Sequence, residues 1–170
     1  MLKLAGEIAD GVLINASHPK DIENATKHVR DGLDIRKNNS STFDMGAFTL
    51  FSIDEDPKRA KKVIRPVIAY VVDRLPIEQK RELLRQDPTS GGLFNALERH
   101  DYKEANGKVT DFLIDKFSIT GTPKECLEKL VMLQKIGVDH VVIGSPLGKD
   151  RTKAIELIGS AVIPTLLAST

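Results

Sequence analysis

A parallel α/β fold is the architecture that this sequence predicts, on three observations. Residues 122–148, TPKECLEKLVMLQKIGVDHVVIGSPLG, run as a helix, a tight turn, a short apolar strand and a glycine-containing loop. Two other apolar runs, residues 12–14 and 43–53, are each followed by a loop and then by helical spacing of apolar residues. The strand His140-Val141-Val142-Ile143 is β-branched and apolar on both faces, as a strand covered on both sides is. In such folds function lies beyond the carboxyl ends of the strands.

Each element has its own local reason. Residues 2–9 carry Leu2, Leu4, Ala5 and Ile8 and read as the end of a helix. Asp10-Gly11 is a turn, residues 12–14 the first strand, and Asn15-Ala16-Ser17-His18-Pro19 the loop at its carboxyl end. A helix then runs to about Arg36, with Ile22, Ala25, Val29 and Leu33 at helical spacing. Residues 43–53 form the second strand. Asp56-Pro57 caps a helix whose stripe includes Ala60, Ile64, Ile68 and Val72, with Pro66 expected to kink it. Residues 74–118 are read as a helical excursion without a clear strand, longer than a crossover needs and suited to carry a site or a subunit contact. Thr122, Pro123 and Glu125 form a helix start of the capping-box type, and Gly137 ends that helix. Gly144-Ser145-Pro146 is read as the end of the third strand, and the last helix begins near Lys149.

Composition removes several functions. The chain has 170 residues, enough for one domain with a real core, and a net charge of +1, without the basic excess of a nucleic-acid binder. No apolar run reaches the roughly 18 residues of a membrane span. The lone Cys126 can make neither an internal disulfide nor a thiolate metal site, which fits a reducing cytoplasm. Histidines 18, 28, 100 and 140 have no metal-ligand spacing, and no nucleophile–base arrangement stands out. Pro88–Gly92 lacks the preceding strand and lysine of a phosphate loop.

The segments AGEIADGVLINASHP, GAFTLFSID, ITGTPKECLEKL and GVDHVVIGSPLG, in this order, resemble the luciferase-like superfamily. Within it they look most like the methylenetetrahydromethanopterin reductases that use coenzyme F420. The resemblance implies a TIM-like (β/α)8 barrel and makes this chain its C-terminal half, with strands six to eight at residues 12–14, 43–53 and 140–143. A complete barrel of this kind needs about 250 residues. Three strands alone have two open edges, so the chain is expected to self-associate or to need a separately encoded N-terminal half. Met1 is then an internal methionine read as a start, or the gene is split or truncated.

The resemblance also implies the chemistry: hydride transfer between reduced F420 and a methylene-tetrahydropterin at the barrel mouth, with the cofactor carrying the reaction. Related sugar-phosphate dehydrogenases place substrate contacts at positions matching Asn15, His18 and Lys116. Here a histidine replaces a lysine and Lys116 stands for an arginine, which disfavours a sugar phosphate and leaves an anionic pterin tail. The cofactor phosphate is expected at the helix start around Met1 and Leu2, and a second anion contact at Gly144 and Ser145, before Lys149 and Arg151. Against these stand ordinary roles: Asn15 and Ser17 as loop or cap residues, His18 as an N-cap neighbour, Gly144 and Ser145 as a plain turn. Two other functions remain open: a non-catalytic half-barrel that pairs with itself and binds no cofactor, and a fragment of an FMN-dependent monooxygenase.

Overall fold

The computed structural model describes residues 1–36 and 42–168. Helix α1 (Leu2–Ile8) leads into strand β1 (Gly11–Asn15), helix α2 (Pro19–Leu33), strand β2 (Asp44–Ile53) and helix α3 (Pro57–Asp73). The excursion follows as α4 (Ile77–Gln86), a short 3-10 turn, α5 (Gly91–Glu98), α6 (Tyr102–Lys108) and α7 (Asp111–Phe117). Strand β3 (Ser118–Gly121), helix α8 (Pro123–Ile136), strand β4 (His140–Leu147), helix α9 (Arg151–Leu157), a π-helical turn and α10 (Ile163–Ala168) complete the chain.

All pairings are parallel and all pass through β2. β1 aligns Gly11–Asn15 with Asp44–Phe48, and β4 aligns His140 with Gly46 and runs on to Leu147 opposite Ser52. Because β1 and β4 share residues 46–48 of β2, they lie on its opposite edges. β3 pairs with Leu50–Ile53, which β4 also spans, so β3 continues the edge begun by β1.

The sheet therefore has four strands where the sequence suggested three. Ser118–Gly121 was hidden because four residues are too short for a periodicity, and it follows α7 without a break. The Asp54 amide donates to the Gly121 carbonyl, tying the new strand to the end of β2 (3.1 Å). The third predicted strand also runs further than expected. Gly144 and Ser145 lie inside β4, at an irregularity opposite Leu50, and do not form a terminating loop. As expected, Pro66 lies inside α3, which stays helical to Asp73.

Residue parity divides β2 between two layers. Met45, Ala47, Phe51 and Ile53 point into the main core against Ile22 and Val29 of α2, Leu130 and Leu133 of α8, and Ala154 of α9. The even residues point the other way. Leu50 packs against a second core made by α3 and the excursion, with Ile64, Ile68, Leu93, Leu97 and Leu113. The Ser52 hydroxyl donates to the Ala60 carbonyl of α3 (2.9 Å). The excursion thus covers the carboxyl end of this second face. Nearer the amino end the face is bare: Leu13 is 54% exposed and Val142 37%. His140 and Leu13 lean over Gly46, where a Cβ would come within 3.0 Å of Leu13.

Local chemistry fixes the starts and stops. Thr122 and Glu125 make a complete capping box, and Gly137 ends α8 with φ of 99°. Asp56 caps α3 and Asp150 caps α9. Asp87 holds the excursion together. Burial would raise its carboxyl, but hydrogen bonds from the Thr110 hydroxyl (2.6 Å) and from Thr89 outweigh that and hold it below the usual carboxylate range. No helix among the described residues is long and apolar enough to cross a membrane.

Candidate functional site

The carboxyl end of β1, the start of α2 and the end of α7 define the site, with α8 beside them. Asn15 is the last residue of β1, exposed, and in register with Phe48, which is in turn in register with Val142. Asn15 therefore stands on the second face of the sheet, at its mouth. Ser17 turns inward instead: it is 4% exposed and accepts the Leu50 amide at 3.2 Å, extending the β1–β2 contact into the loop.

His18 is the N-cap of α2. Its Nδ1 accepts the Lys20 amide at 3.2 Å, which leaves Nε2 to face Asp115 at 3.7 Å. Lys116 donates to both carboxylate oxygens of Asp21 (3.2 and 3.0 Å). Two reciprocal pairs thus join the first turn of α2 to the last turn of α7. Lys129 of α8 completes the junction, contacting the Asp115 carboxylate at 2.7 Å and donating to the Ser118 carbonyl at 3.0 Å. A cleft of about 780 Å³ opens beside it, lined by His18, Lys61, Asp115, Thr120 and Lys129 among others.

The structure therefore brings His18 and Lys116 to one junction and sets Asn15 three residues before it, at the strand end. It does not bring Gly144 and Ser145 there, because they belong to β4 on the far edge of β2. Gly144 is buried, and a Cβ on it would meet the Thr49 carbonyl at 2.6 Å and the Phe48 ring at 3.1 Å, so its glycine identity serves packing. Ser145 is exposed. Met1 is fully exposed, while Leu2 packs against the main core. His18 does cap α2; that role uses Nδ1 and leaves Nε2 to Asp115.

Sequence reasoning missed Ser17 as a tie to β2 and Asp21 and Asp115 as the partners of the two cations. The signal of Asp21 was weak, since an aspartate in the first turn of a helix has a sufficient reason to be there, and Asp115, in the last turn of α7, lies far from its partner in sequence. The end of β2 carries a further set. Burial alone would raise the Asp54 carboxyl, but the Asp56 amide and the Arg59 guanidinium hold it below its ordinary value. The Glu55 carboxylate, hydrogen-bonded to Lys153, raises that ammonium.

Known proteins carry the same chain pattern. The family model of the luciferase-like monooxygenases matches residues 1–140. A 5,10-methylenetetrahydromethanopterin reductase of Archaeoglobus fulgidus is 42% identical over 170 residues, 98% of this chain and 51% of its own. The reductase of Methanolobus tindarius is 41% identical over 165 residues, 96% of this chain and 50% of its own. The solved structure of the coenzyme F420 dependent tetrahydromethanopterin reductase from Methanopyrus kandleri superposes with a TM-score of 0.85 at 39% identity, over 98% of this chain and 48% of that one. An F420-dependent secondary alcohol dehydrogenase shares the fold at a TM-score of 0.67 and 18% identity. The chain spans about half the length of the curated relatives it matches. With the family model matching residues 1–140, most of the chain, the chain belongs to the luciferase-like monooxygenase family.

Proposed function

We propose that the chain is the substrate-side, C-terminal half of a barrel that transfers hydride between reduced coenzyme F420 and methylenetetrahydromethanopterin. The observation that carries this reading is the identity of 41–42% with reductases of that name across 96–98% of the chain. The shared length of about one half supports the second element, a complementary half. So does the sheet: among the described residues β1 and β4 pair only with β2, leaving one edge of each without a strand partner. Exposed apolar side chains lie on the helices that pack against these strands, Leu4 and Ile8 on α1 beside β1 and Ile155 on α9 beside β4.

The residues present fit part of a cofactor site. Leu13, Phe48 and Val142 form an apolar floor on the open face, suited to a planar ring. Met1 and Leu2 begin α1, and only backbone N–H groups of its first turn are available to a phosphate there. The rest of the cradle is assigned to the complementary half. Ser145 and the packed Gly144 border the opposite rim. Bound F420 supplies the hydride. The chain's own part is to position: Asn15 offers an amide at the strand end, His18 offers Nε2, and Lys116 offers a cation once Asp21 yields it. Together they suit an anionic tail of a pterin. The buried thiol of Cys126 fits a reducing, cytoplasmic setting.

Fluorescence titration of F420 tests the reading. Binding is expected when the chain is mixed with the other half of the Methanopyrus kandleri barrel, and weak binding by the chain alone. No binding by an assembled pair would overturn it. A second reading, a self-paired non-catalytic half-barrel, is favoured by the bare apolar face at Leu13 and Val142. Sedimentation equilibrium separates them: a homodimer that the other half cannot dissociate supports the second.

A further inference from the structure

We infer that the groove between α3 and the end of α6 binds a small polyanion, a molecule with two or more carboxylate or phosphate groups. The groove measures about 690 Å³ and has Lys58, Lys61, Lys62 and Arg65 along one wall. Asn106 and Gly107 stand on the other wall, with Asp111 at the end. A Cβ on Gly107 would meet nothing within 4 Å, so the space is open there.

The four cations break two rules of helix design at once. Spaced three and four residues apart, they share one face of α3 and repel each other. Lys58 also stands in the first turn of the helix, where the dipole disfavours positive charge. The first turn of α3 has no acidic residue, and the first acid in the helix is its last residue, Asp73. Local rules broken together are expected at functional positions.

Counter-charges do not explain the cluster. Lys61 pairs with Asp111 at 2.7 Å, while Lys58, Lys62 and Arg65 make no ion pair among the described residues. The larger cleft next door has the opposite balance, with Glu23, Asp111, Asp115, Glu125 and Glu128 in its walls. An anion is therefore drawn to the α3 side. A net charge of +1 for the whole chain means that this positive field is local. Lys58 and Arg65 are seven residues apart, about 10 Å along a helix. One anionic group cannot reach both ends, whereas two or three on a short scaffold can. The inference concerns direct binding and does not rest on the proposed reaction.

Isothermal titration at fixed ionic strength tests it, with tricarballylate and tripolyphosphate as probes and acetate as the single-charge control. One-to-one saturable binding of at least one polyanion is expected, with acetate at least tenfold weaker. The two probes distinguish a carboxylate from a phosphate ligand. A variant with Lys58→Gln, Lys62→Gln and Arg65→Gln should bind at least tenfold more weakly, while one with Lys3→Gln, Lys27→Gln and Lys135→Gln, on α1, α2 and the end of α8, should bind like the parent. Melting curves confirm that the variants fold, and single Lys62→Gln and Arg65→Gln changes serve if the triple one does not. Absence of saturable binding, or equal loss in the distant variant, overturns the inference. Tighter binding of a 20-nucleotide RNA through the same residues also overturns it, in favour of a nucleic-acid surface.

Discussion

Gly6 on α1 and Gly32 on α2 meet where the two helices cross. A Cβ on Gly6 would lie 3.0 Å from the Gly32 Cα and overlap the Val29 carbonyl, and a Cβ on Gly32 would overlap the Lys3 carbonyl. The backbones touch because neither residue has a side chain. At seven residues α1 is too short to be stable alone, so this crossing holds it in place. Gly32→Ala gains about 0.5–1 kcal/mol of helix propensity but forces backbone apart at a cost of about 1–3 kcal/mol. We expect a net loss of stability in urea denaturation, and the same for Gly6→Ala. An unchanged or raised midpoint would show that the crossing has slack.

Glu125 closes the capping box of α8. The Thr122 amide, at 2.7 Å, and then its hydroxyl hold the Glu125 carboxyl below the usual glutamate value. A carboxylate with a depressed folded-state pKa stabilises the fold above its unfolded value, about 4.3, and loses that contribution as pH falls through the folded one. The parent should therefore exceed Glu125→Gln in stability at pH 7 and lose that advantage progressively as the pH falls below about 4.3. A gap independent of pH contradicts this. Thr122→Ala should cost about 1 kcal/mol at pH 7.

Cys126 lies in the main core, and burial pushes its thiol up to about 12. At pH 8 almost no thiolate is present and no reagent reaches it. Alkylation by iodoacetamide should be at least a hundredfold slower in the native protein than in urea, tracking global unfolding. Rapid native labelling would mean that α8 opens locally.

These features differ in how far they could be read in advance. The capping box at Thr122, the Gly137 stop and the parallel order of β1, β2 and β4 were all legible, because cap chemistry and apolar runs are short-range signals. The resemblance to a barrel half was equally legible. Strand β3 was not: Ser118–Gly121 is shorter than the window in which alternation registers. Nor was the far part of β4, where Gly144 reads as a turn residue and in fact packs under Phe48. The His18–Asp115 and Lys116–Asp21 pairs join residues nearly a hundred positions apart, and single-sequence reasoning has no access to such contacts.

Those two pairs also make the site testable. The Lys116–Asp21 pair is half-buried, and ion pairs near the surface contribute about 0–1 kcal/mol, so Lys116→Ala should change stability by about that much at most. In the assembled barrel Asn15→Ala, His18→Ala and Lys116→Ala should each raise KM for the pterin about tenfold, or ~1.4 kcal/mol, with kcat and F420 affinity nearly unchanged. Asp21→Asn should leave KM equal or lower it, because it releases Lys116. A fall in kcat at constant KM would assign these residues a different role.

The decisive measurement is the absorbance of reduced F420 on mixing the chain, methylenetetrahydromethanopterin and the other half of the Methanopyrus kandleri barrel. Oxidation of reduced F420 should require all components and should appear with the one-to-one complex of the two halves. A co-eluting one-to-one complex that leaves reduced F420 unchanged would contradict the proposal that this half-barrel serves hydride transfer.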